Sequence, residues 1–482
     1  MRGAIAAGSE PTAQAGAEIL ASGGNAADAA VAACFATSAG EPTLTSLAGG
    51  GIMIYRDAAS GEVTVCDFFS DAPRLHRDEV AQLDFTPIDL DFGPTTQRFY
   101  IGAGSAAVPG VLPGLCTVLE RYGTLPLSAV IKPACRFMRE GIELGTYQGR
   151  AAKLLEPILT YHESGRGVFA PTGRMIAAGD RFKLPQLADT LEAMARDGWK
   201  RYYAEVLGQA MVAQFGPAAG GMITKADIEQ YEVVFREPMS LGYHGATVLT
   251  NPPPAAGGPM IGMMLKLLGT RSLAALSPTG TEHARVLCHA MTIADEARAE
   301  GIDALTGGRF AFWRAKFEQH LEQGPLITPA TVPAPESTTH VSVIDSAGNA
   351  AAVTFSFGEG NAHIIGHSGI MMNNLMGEED LFPLGFGAAP PGLRLNTMMS
   401  PTLLIDDDGA VTALGTGGAN RIRTAIVQVV ALLRDHKLSA EQAVAAPRVH
   451  YENGVLNAEV FGRDDDGAGL ADLGARQLVR FD

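Results

Sequence analysis

Glu336-Ser337-Thr338-Thr339-His340-Val341-Ser342-Val343-Ile344-Asp345-Ser346-Ala347-Gly348-Asn349, continued by Ala350 to Phe357, is the stretch on which the fold turns. It predicts a buried hairpin whose first strand begins on two threonines. His340, Ser342 and Ile344 fall on one side and Val341 and Val343 on the other, Ser346 to Asn349 supply turn residues, and Val353, Phe355 and Phe357 alternate on the return strand. A threonine at the head of a buried strand can act as a nucleophile if a base is at hand. The economical base is its own α-amino group, which exists only if the chain is cut before Thr338.

The rest of the chain frames that hairpin. With 482 residues, 46% hydrophobic and 18% charged, it has the balance of a globular protein rather than a disordered one. Its 57 glycines and 28 prolines follow no period, so they read as turns between many short elements. A net charge of -16 without a dense basic cluster argues against a nucleic-acid partner. Cys34, Cys66, Cys116, Cys135 and Cys288 are odd in number, widely spaced and set among apolar neighbours; they read as buried thiols in a reducing compartment. No CxxC pair offers a zinc site, and no run reaches the roughly 18 apolar residues of a membrane span. Glu10 and Pro11 interrupt any signal-peptide core, so the expected location is cytoplasmic, or periplasmic or secreted if a leader was removed.

Ser9-Glu10-Pro11 reads as a helix start, with helix from Ala13 to Ala21 stopped by Ser22-Gly23-Gly24. Asn25 caps a second, alanine-rich helix from Ala26 to about Ser38. After Gly49-Gly50-Gly51, Ile52 to Tyr55 and Val63 to Phe68 form a hairpin. Segments 111 to 145 and 185 to 240 read as mainly helical, Thr224 caps a helix, and His283 to Glu300 is another. Pro325 to Pro335, with four prolines, cannot form regular structure and leads into Thr338, as a mobile segment before a cleavage site would.

Three motifs suggest other chemistry and fail on spacing. Gly366-His367-Ser368-Gly369 lacks the last glycine of a GxSxG elbow, since Ile370 stands there. His363 and His367 are four apart, but no glutamate follows the first as in HExxH. Gly415-Thr416-Gly417-Gly418-Ala419-Asn420 follows a strand-like Val411 to Leu414, yet lacks the lysine of a P-loop. It is either a tight strand-to-helix turn or a set of backbone N–H groups aimed at a developing oxyanion.

With Ala17 to Ala29 (AEILASGGNAADA), Gly49-Gly50-Gly51, Val108-Pro109-Gly110-Val111, Tyr122 to Leu127, Ile223 to Asp227, Pro252-Pro253-Pro254, the Thr338 strand, Gly369 to Asn374, Met399 to Thr402 and Ala446-Pro447-Arg448, the chain resembles the γ-glutamyltransferase (glutathione hydrolase) family of N-terminal-nucleophile enzymes. The motifs keep family order from residue 3 to about 460. The resemblance implies an α+β fold, a four-layer αββα sandwich of two stacked, mainly antiparallel sheets flanked by helices. It also implies an inactive precursor that cuts itself between Ser337 and Thr338 into a large region, 1–337, and a small region, 338–482, which together form one domain. Thr338 then attacks an amide carbonyl, its amine relays the proton, and water or an amine acceptor resolves the acyl-enzyme. No cofactor or metal is implied. The substrate is a small amide or peptide, with no membrane or nucleic-acid partner, and the processed pieces are compatible with a homo-oligomer.

Residue by residue, the resemblance makes Ser356 the hydroxyl that bonds the nucleophile, and Gly418 and Ala419 the oxyanion-hole donors. The substrate end departs from the pattern. Phe69 stands where an arginine pairs with the glutamyl α-carboxylate, Gly358 where an asparagine is expected, Leu375 where a glutamine is, and Thr397 and Met398 where two serines are. Glu378 keeps the acidic position that holds the α-amino group, with Glu379 or Asp380 substituting if the register slips. Arg394 is either a relocated cation in the pocket or a solvated loop arginine. The expected activity is cleavage of a γ-glutamyl or similar amide. The alternatives are an acylase for a non-glutamyl, glutaryl-type amide, or a silent family member acting as a binding module.

Overall fold

The computed structural model describes residues 3–91, 96–306, 309–323, 338–382, 385, 386, 390–459, 470 and 477–481. Ser337 and the proline-rich run from 325 to 335 lie outside them. The chain divides into two compact units, the first made of Met1–Phe92, Thr96–Glu237 and Glu336–Thr397, the second of Gly93–Thr95, Pro238–Pro335 and Met398–Asp482. Each unit thus draws on chain from both sides of Thr338.

The first unit is built on a six-stranded sheet in the order Gly3–Ala7, Thr339–Asp345, Ala350–Ser356, Gly50–Arg56, Val63–Phe68, Val234–Arg236, with every pair antiparallel. The expected Thr338 hairpin is present, and its first strand is paired on both edges. Helix Glu10–Ala21 is capped by the Ser9 side chain, and Ala26–Gly40 by Asn25 in a capping box with Asp28. The second of these helices is buried along its whole length, which its alanines permit by letting it approach the sheet closely. Its first N–H donates to the Asp345 carboxylate at 2.9 Å, tying the helix start to the hairpin turn.

The glycines of Gly49-Gly50-Gly51 are required by close approach. A Cβ on Gly49 would stand 2.0 Å from the Ser356 carbonyl oxygen, and one on Gly50 would stand 2.5 Å from the Ser70 nitrogen. The glycine run therefore lets the Gly50–Arg56 strand lie against the end of the Thr338 hairpin.

The 185–240 stretch differs from expectation at its end. It is strand there, at Val234–Arg236 and Met239–Gly242, where the edges of Val63–Phe68 and Ala246–Thr250 receive them. Helices Thr146–Leu159 and Glu163–Phe169 form despite Pro157 and several glycines, and Thr86–Asp91 pairs with Thr96–Ile101. These elements depend on tertiary partners rather than on local periodicity.

The second unit has a four-stranded antiparallel sheet in the order Val411–Leu414, Thr402–Asp406, Ala246–Thr250, Met239–Gly242. Helices Gly257–Leu268, Thr281–Glu300 and Arg421–Arg434 pack together in this unit. A smaller sheet joins Val449–Glu452, Val455–Glu459 and Gln477–Phe481. All five cysteines are buried, and none is in a disulfide. Among the described residues no helix is long and apolar enough to cross a membrane.

Candidate active site

Thr338 is half-buried and immediately precedes the Thr339–Asp345 strand. The register Thr339↔Phe355, His340↔Thr354 continues one step to set Thr338 opposite Ser356. Strand alternation then puts Thr338, His340 and Ser342 on one face and Thr339, Val341 and Val343 on the other. The first face carries a polar row. The His340 ring bonds Thr354 Oγ1 through Nδ1 and Ser342 Oγ through Nε2, both at 2.8 Å. Burial pushes the His340 pKa down to about 3, so the ring is neutral, donating to one hydroxyl and accepting from the other. The Ser356 hydroxyl accepts the Gly358 N–H at 3.0 Å.

Gly358 adopts a φ of 70°, and a Cβ there would stand 2.0 Å from Glu378 Oε1 and 2.2 Å from Asn374 Oδ1. The missing asparagine side chain and Glu378 therefore compete for the same space. Glu378 is buried, and its Oε1 has no hydrogen-bond partner among the described residues. Burial, then repulsion from Glu359 and Asp380, holds its pKa well above the usual carboxylate range. Glu359, itself buried, donates its N–H to Asn374 Oδ1 at 2.9 Å. Among the described residues no cation pairs with Glu378, so its charged form is disfavoured. Leu375 is buried in a short 3₁₀ turn, with its N–H on Asn373 Oδ1 at 3.1 Å.

Phe69 is fully buried. Its N–H donates to Asp67 Oδ1 at 3.1 Å, and its carbonyl accepts the Tyr231 hydroxyl at 2.8 Å. Arg394 departs from the solvated loop arginine of one reading, since its side chain is only 10% exposed. Its guanidinium donates to Asp71 Oδ1 at 2.6 Å, to the Asp67 carbonyl at 2.7 Å and carboxylate at 2.9 Å, and to the Glu232 carbonyl at 2.7 Å, with the Tyr231 ring 5.0 Å away. Two carboxylates and two carbonyls engage Nε and both terminal nitrogens, so the cation holds the Asp67–Asp71 turn in place. Thr397 is buried, with its N–H on Asn396 Oδ1 at 2.7 Å.

In the second unit, half-buried Met398 has its carbonyl bonded by the Ser400 hydroxyl at 2.8 Å. Gly418 and Ala419 lie between the Val411–Leu414 strand and the Arg421–Arg434 helix, as the strand-to-helix reading expects, with φ of 112° and 49°. The Gly418 and Ala419 carbonyls accept the Arg421 and Ile422 N–H groups at 2.9 and 3.1 Å. A left-handed backbone costs a residue with a Cβ about 1–2 kcal/mol. Ala419→Gly is therefore expected to stabilise the chain by about 0.5–1 kcal/mol after allowing for the greater freedom of unfolded glycine. Urea denaturation checks this, and a less stable variant would contradict it.

The same helix carries Arg423, which is 1% exposed. It donates to the Asn420 carbonyl at 2.8 Å, Asp295 Oδ1 at 2.7 Å and Glu452 Oε1 at 2.9 Å. Burial raises the Asp295 pKa to about 6. Burial acts on Glu452 in the same sense, but Arg423 and His450 outweigh it and hold that carboxyl below its ordinary range. Glu452 thus carries the full charge opposite the guanidinium, and Asp295 is the easier of the two to protonate.

Sequence reasoning missed Arg423, Glu359 and Glu41. For Glu41 the available signal was an acid between Gly40 and Pro42 in a largely apolar run whose other acid, Asp28, serves a helix cap, since a buried acid must find partners.

The competing motifs resolve into structure. Ser368 is buried, and its hydroxyl donates to the Ile365 carbonyl at 2.7 Å inside a turn. His363 stacks on His162 with centroids 4.0 Å apart. Among the described residues no group of three or more His, Cys, Asp or Glu is placed to hold a metal ion.

The solved structure of a cephalosporin acylase from Bacillus halodurans matches over 100% of this chain and 89% of its own, with a TM-score of 0.85 at 23% identity. That likeness shows that the two chains share an α+β fold. The family model for gamma-glutamyltranspeptidase matches residues 12–476, and the chain belongs to that family. The Acylase ACY 1 proenzyme of Pseudomonas sp. (strain SE83) is 32% identical over 472 residues, which are 95% of this chain and 84% of that protein. The glutathione hydrolase proenzyme of Escherichia coli (strain K12) is 30% identical over 483 residues, covering 94% of this chain and 81% of that protein. The protein is accordingly an enzyme, a γ-glutamyltransferase-like N-terminal-nucleophile hydrolase.

Proposed function

We propose that the chain cuts itself between Ser337 and Thr338 and that Thr338 then cleaves amides through an acyl-enzyme. The observation that carries this reading is a half-buried threonine at the head of an interior strand, opposite the Ser356 hydroxyl. The free Thr338 amine takes the hydroxyl proton as Oγ1 bonds to the amide carbonyl carbon, and returns it to the departing amine. Water, or an amine acceptor, then attacks the ester and restores the hydroxyl. A terminal amine has a pKa of about 7.7–8.0, so an appreciable fraction is neutral near physiological pH. Gly418 and Ala419, which the resemblance makes oxyanion donors, lie in the second unit before the N-terminal end of the Arg421–Arg434 helix, an end that carries partial positive charge.

For the acyl group, the reading we favour is a non-glutamyl chain of the glutaryl type. Phe69 and Leu375 are buried and apolar, and Arg394 bonds Asp67 and Asp71. A glutaryl chain differs from a glutamyl one by lacking the α-ammonium, and Glu378, whose charged form is disfavoured by burial and by Glu359 and Asp380, is a poor counter-ion for that group. Two relatives with acylase names support the same direction. Glutaryl p-nitroanilide is expected to exceed γ-glutamyl p-nitroanilide in kcat/KM by at least ~10-fold. The reverse order would sink the acyl-group reading, and turnover of neither would count against amide hydrolysis itself.

A further inference from the structure

A buried carboxylate holds the residue next to the proposed nucleophile. Glu41 follows the Ala26–Gly40 helix and has no solvent exposure. Its Oε1 accepts the Thr12 hydroxyl at 2.7 Å, and its Oε2 accepts the Thr339 hydroxyl. Ser9, whose Oγ lies 2.8 Å from that of Thr12, adds a further hydroxyl to the carboxylate. The backbone closes around this group too, because a Cβ on Gly8 would stand 2.3 Å from Oε2. Among the described residues Glu41 makes no ion pair. An acid that is wholly buried and held by hydroxyls is costly to keep in a fold, which asks what it does there.

Its reach to Thr339 answers that. Thr339 and Thr338 point to opposite faces of the strand, so fixing one side chain fixes the rotation that aims the other. Before the cut, residue 338 is restrained by peptide bonds on both sides. Afterwards it is a chain terminus with one covalent link, and the hydrogen-bonded ladder starts only at Thr339↔Phe355. Termini fray unless tied down, and misplacing a reacting group by about 1 Å can cost ~10²-fold in rate.

We infer that Glu41 is a positioning residue, whose grip on the Thr339 hydroxyl keeps the Thr338 hydroxyl and amine aimed at the opposite face of the sheet after the bond to Ser337 is gone. This rests on the assignment of Thr338 as the nucleophile. Burial raises the Glu41 pKa and the hydroxyls of Thr339 and Thr12 oppose that rise, and a hydroxyl donated to a carboxyl oxygen is a directional restraint whether or not the acid is ionised.

The test uses the full chain with Thr339→Val, which keeps shape and loses the hydroxyl, and Thr339→Ser, which keeps the hydroxyl and loses the methyl. Glu41→Gln is a third variant that keeps size and replaces one carboxyl oxygen by an amide NH2, which cannot accept from a hydroxyl. Extent of cleavage by intact mass, Tm, and kcat and KM with glutaryl and γ-glutamyl p-nitroanilides are measured for each. Thr339→Val and Glu41→Gln are expected to lower kcat by about 10- to 100-fold with KM within about 2-fold, while Thr339→Ser recovers kcat to within about 3-fold of wild type. Equal losses in Thr339→Val and Thr339→Ser would overturn the inference, because packing of the methyl would then be the cause. So would a Thr339→Val enzyme that is cut and active like wild type, or variants that fail only by unfolding. A wild-type chain that stays uncut overturns the nucleophile assignment as well, which separates the two failures.

Discussion

Thr338→Ala is expected to remain a single chain of 482 residues and to lose amide hydrolysis by at least ~10⁴-fold, while wild type resolves under denaturing conditions into pieces of 337 and 145 residues. Two separate losses converge in this variant. The precursor loses the hydroxyl that attacks the preceding carbonyl, and the mature enzyme loses both its nucleophile and the terminal amine that serves as its base. The denaturing step matters because the Thr339–Asp345 strand stays paired with Gly3–Ala7, which belongs to the larger piece. Native chromatography would show one species either way, whereas intact-mass spectrometry distinguishes them. A wild-type chain that keeps its full mass, or a Thr338→Ala chain that is cut, would end the self-processing account.

Arg423→Met should produce the largest loss of stability of any single substitution considered for the second unit, about 3–5 kcal/mol near pH 8. The guanidinium is the positive partner of Asp295 and Glu452 and also holds the Asn420 carbonyl. Methionine fills similar volume but leaves buried carboxylates without a counter-ion, and desolvation then drives their pKa values up. The pH dependence follows from the signs. In wild type Glu452 is held below its ordinary pKa, so its contribution is present above that value and lost as pH falls through the depressed one. In the variant the same carboxyl is raised, so its ionisation destabilises the fold as pH rises. The gap between the two proteins should therefore be widest at neutral to alkaline pH and shrink on acidification. Denaturant melts at pH 8 and pH 5 measure it. A loss under about 1 kcal/mol at pH 8, or a gap that widens toward acid, would contradict the assignment.

Much of the scaffold around Thr338 was readable because it is encoded locally. Ser9, Asn25 and Thr224 are cap residues beside the helices they start, and all three accept the expected N–H groups. The alternation from His340 to Phe357 fixed which face each side chain takes, and the glycine run was visible as a place where backbones approach. Arg394, Arg423 and Glu41 were not readable in the same way. Their partners lie 323, 128 and 298 residues away, and a lone charged residue in a loop or helix has the same local signature whether water or a buried carboxylate receives it. The Val234–Arg236 strand was lost for a related reason, since a three-residue segment becomes a strand only when the Val63–Phe68 edge is there to receive it.

The pairing of Gly3–Ala7 with Thr339–Asp345 also sets a schedule for biosynthesis. The strand made first at the ribosome has no partner until residues more than three hundred positions later emerge. At about 5–20 residues per second, that delay is on the order of half a minute. Through that interval the alternating segment from Gly3 to Ala7 waits with its backbone groups open, and the core of the sheet closes only after most of the polypeptide has been made. Slow, long-range closure of this kind favours holding factors during synthesis, and self-cleavage can begin only as the last step of a long assembly.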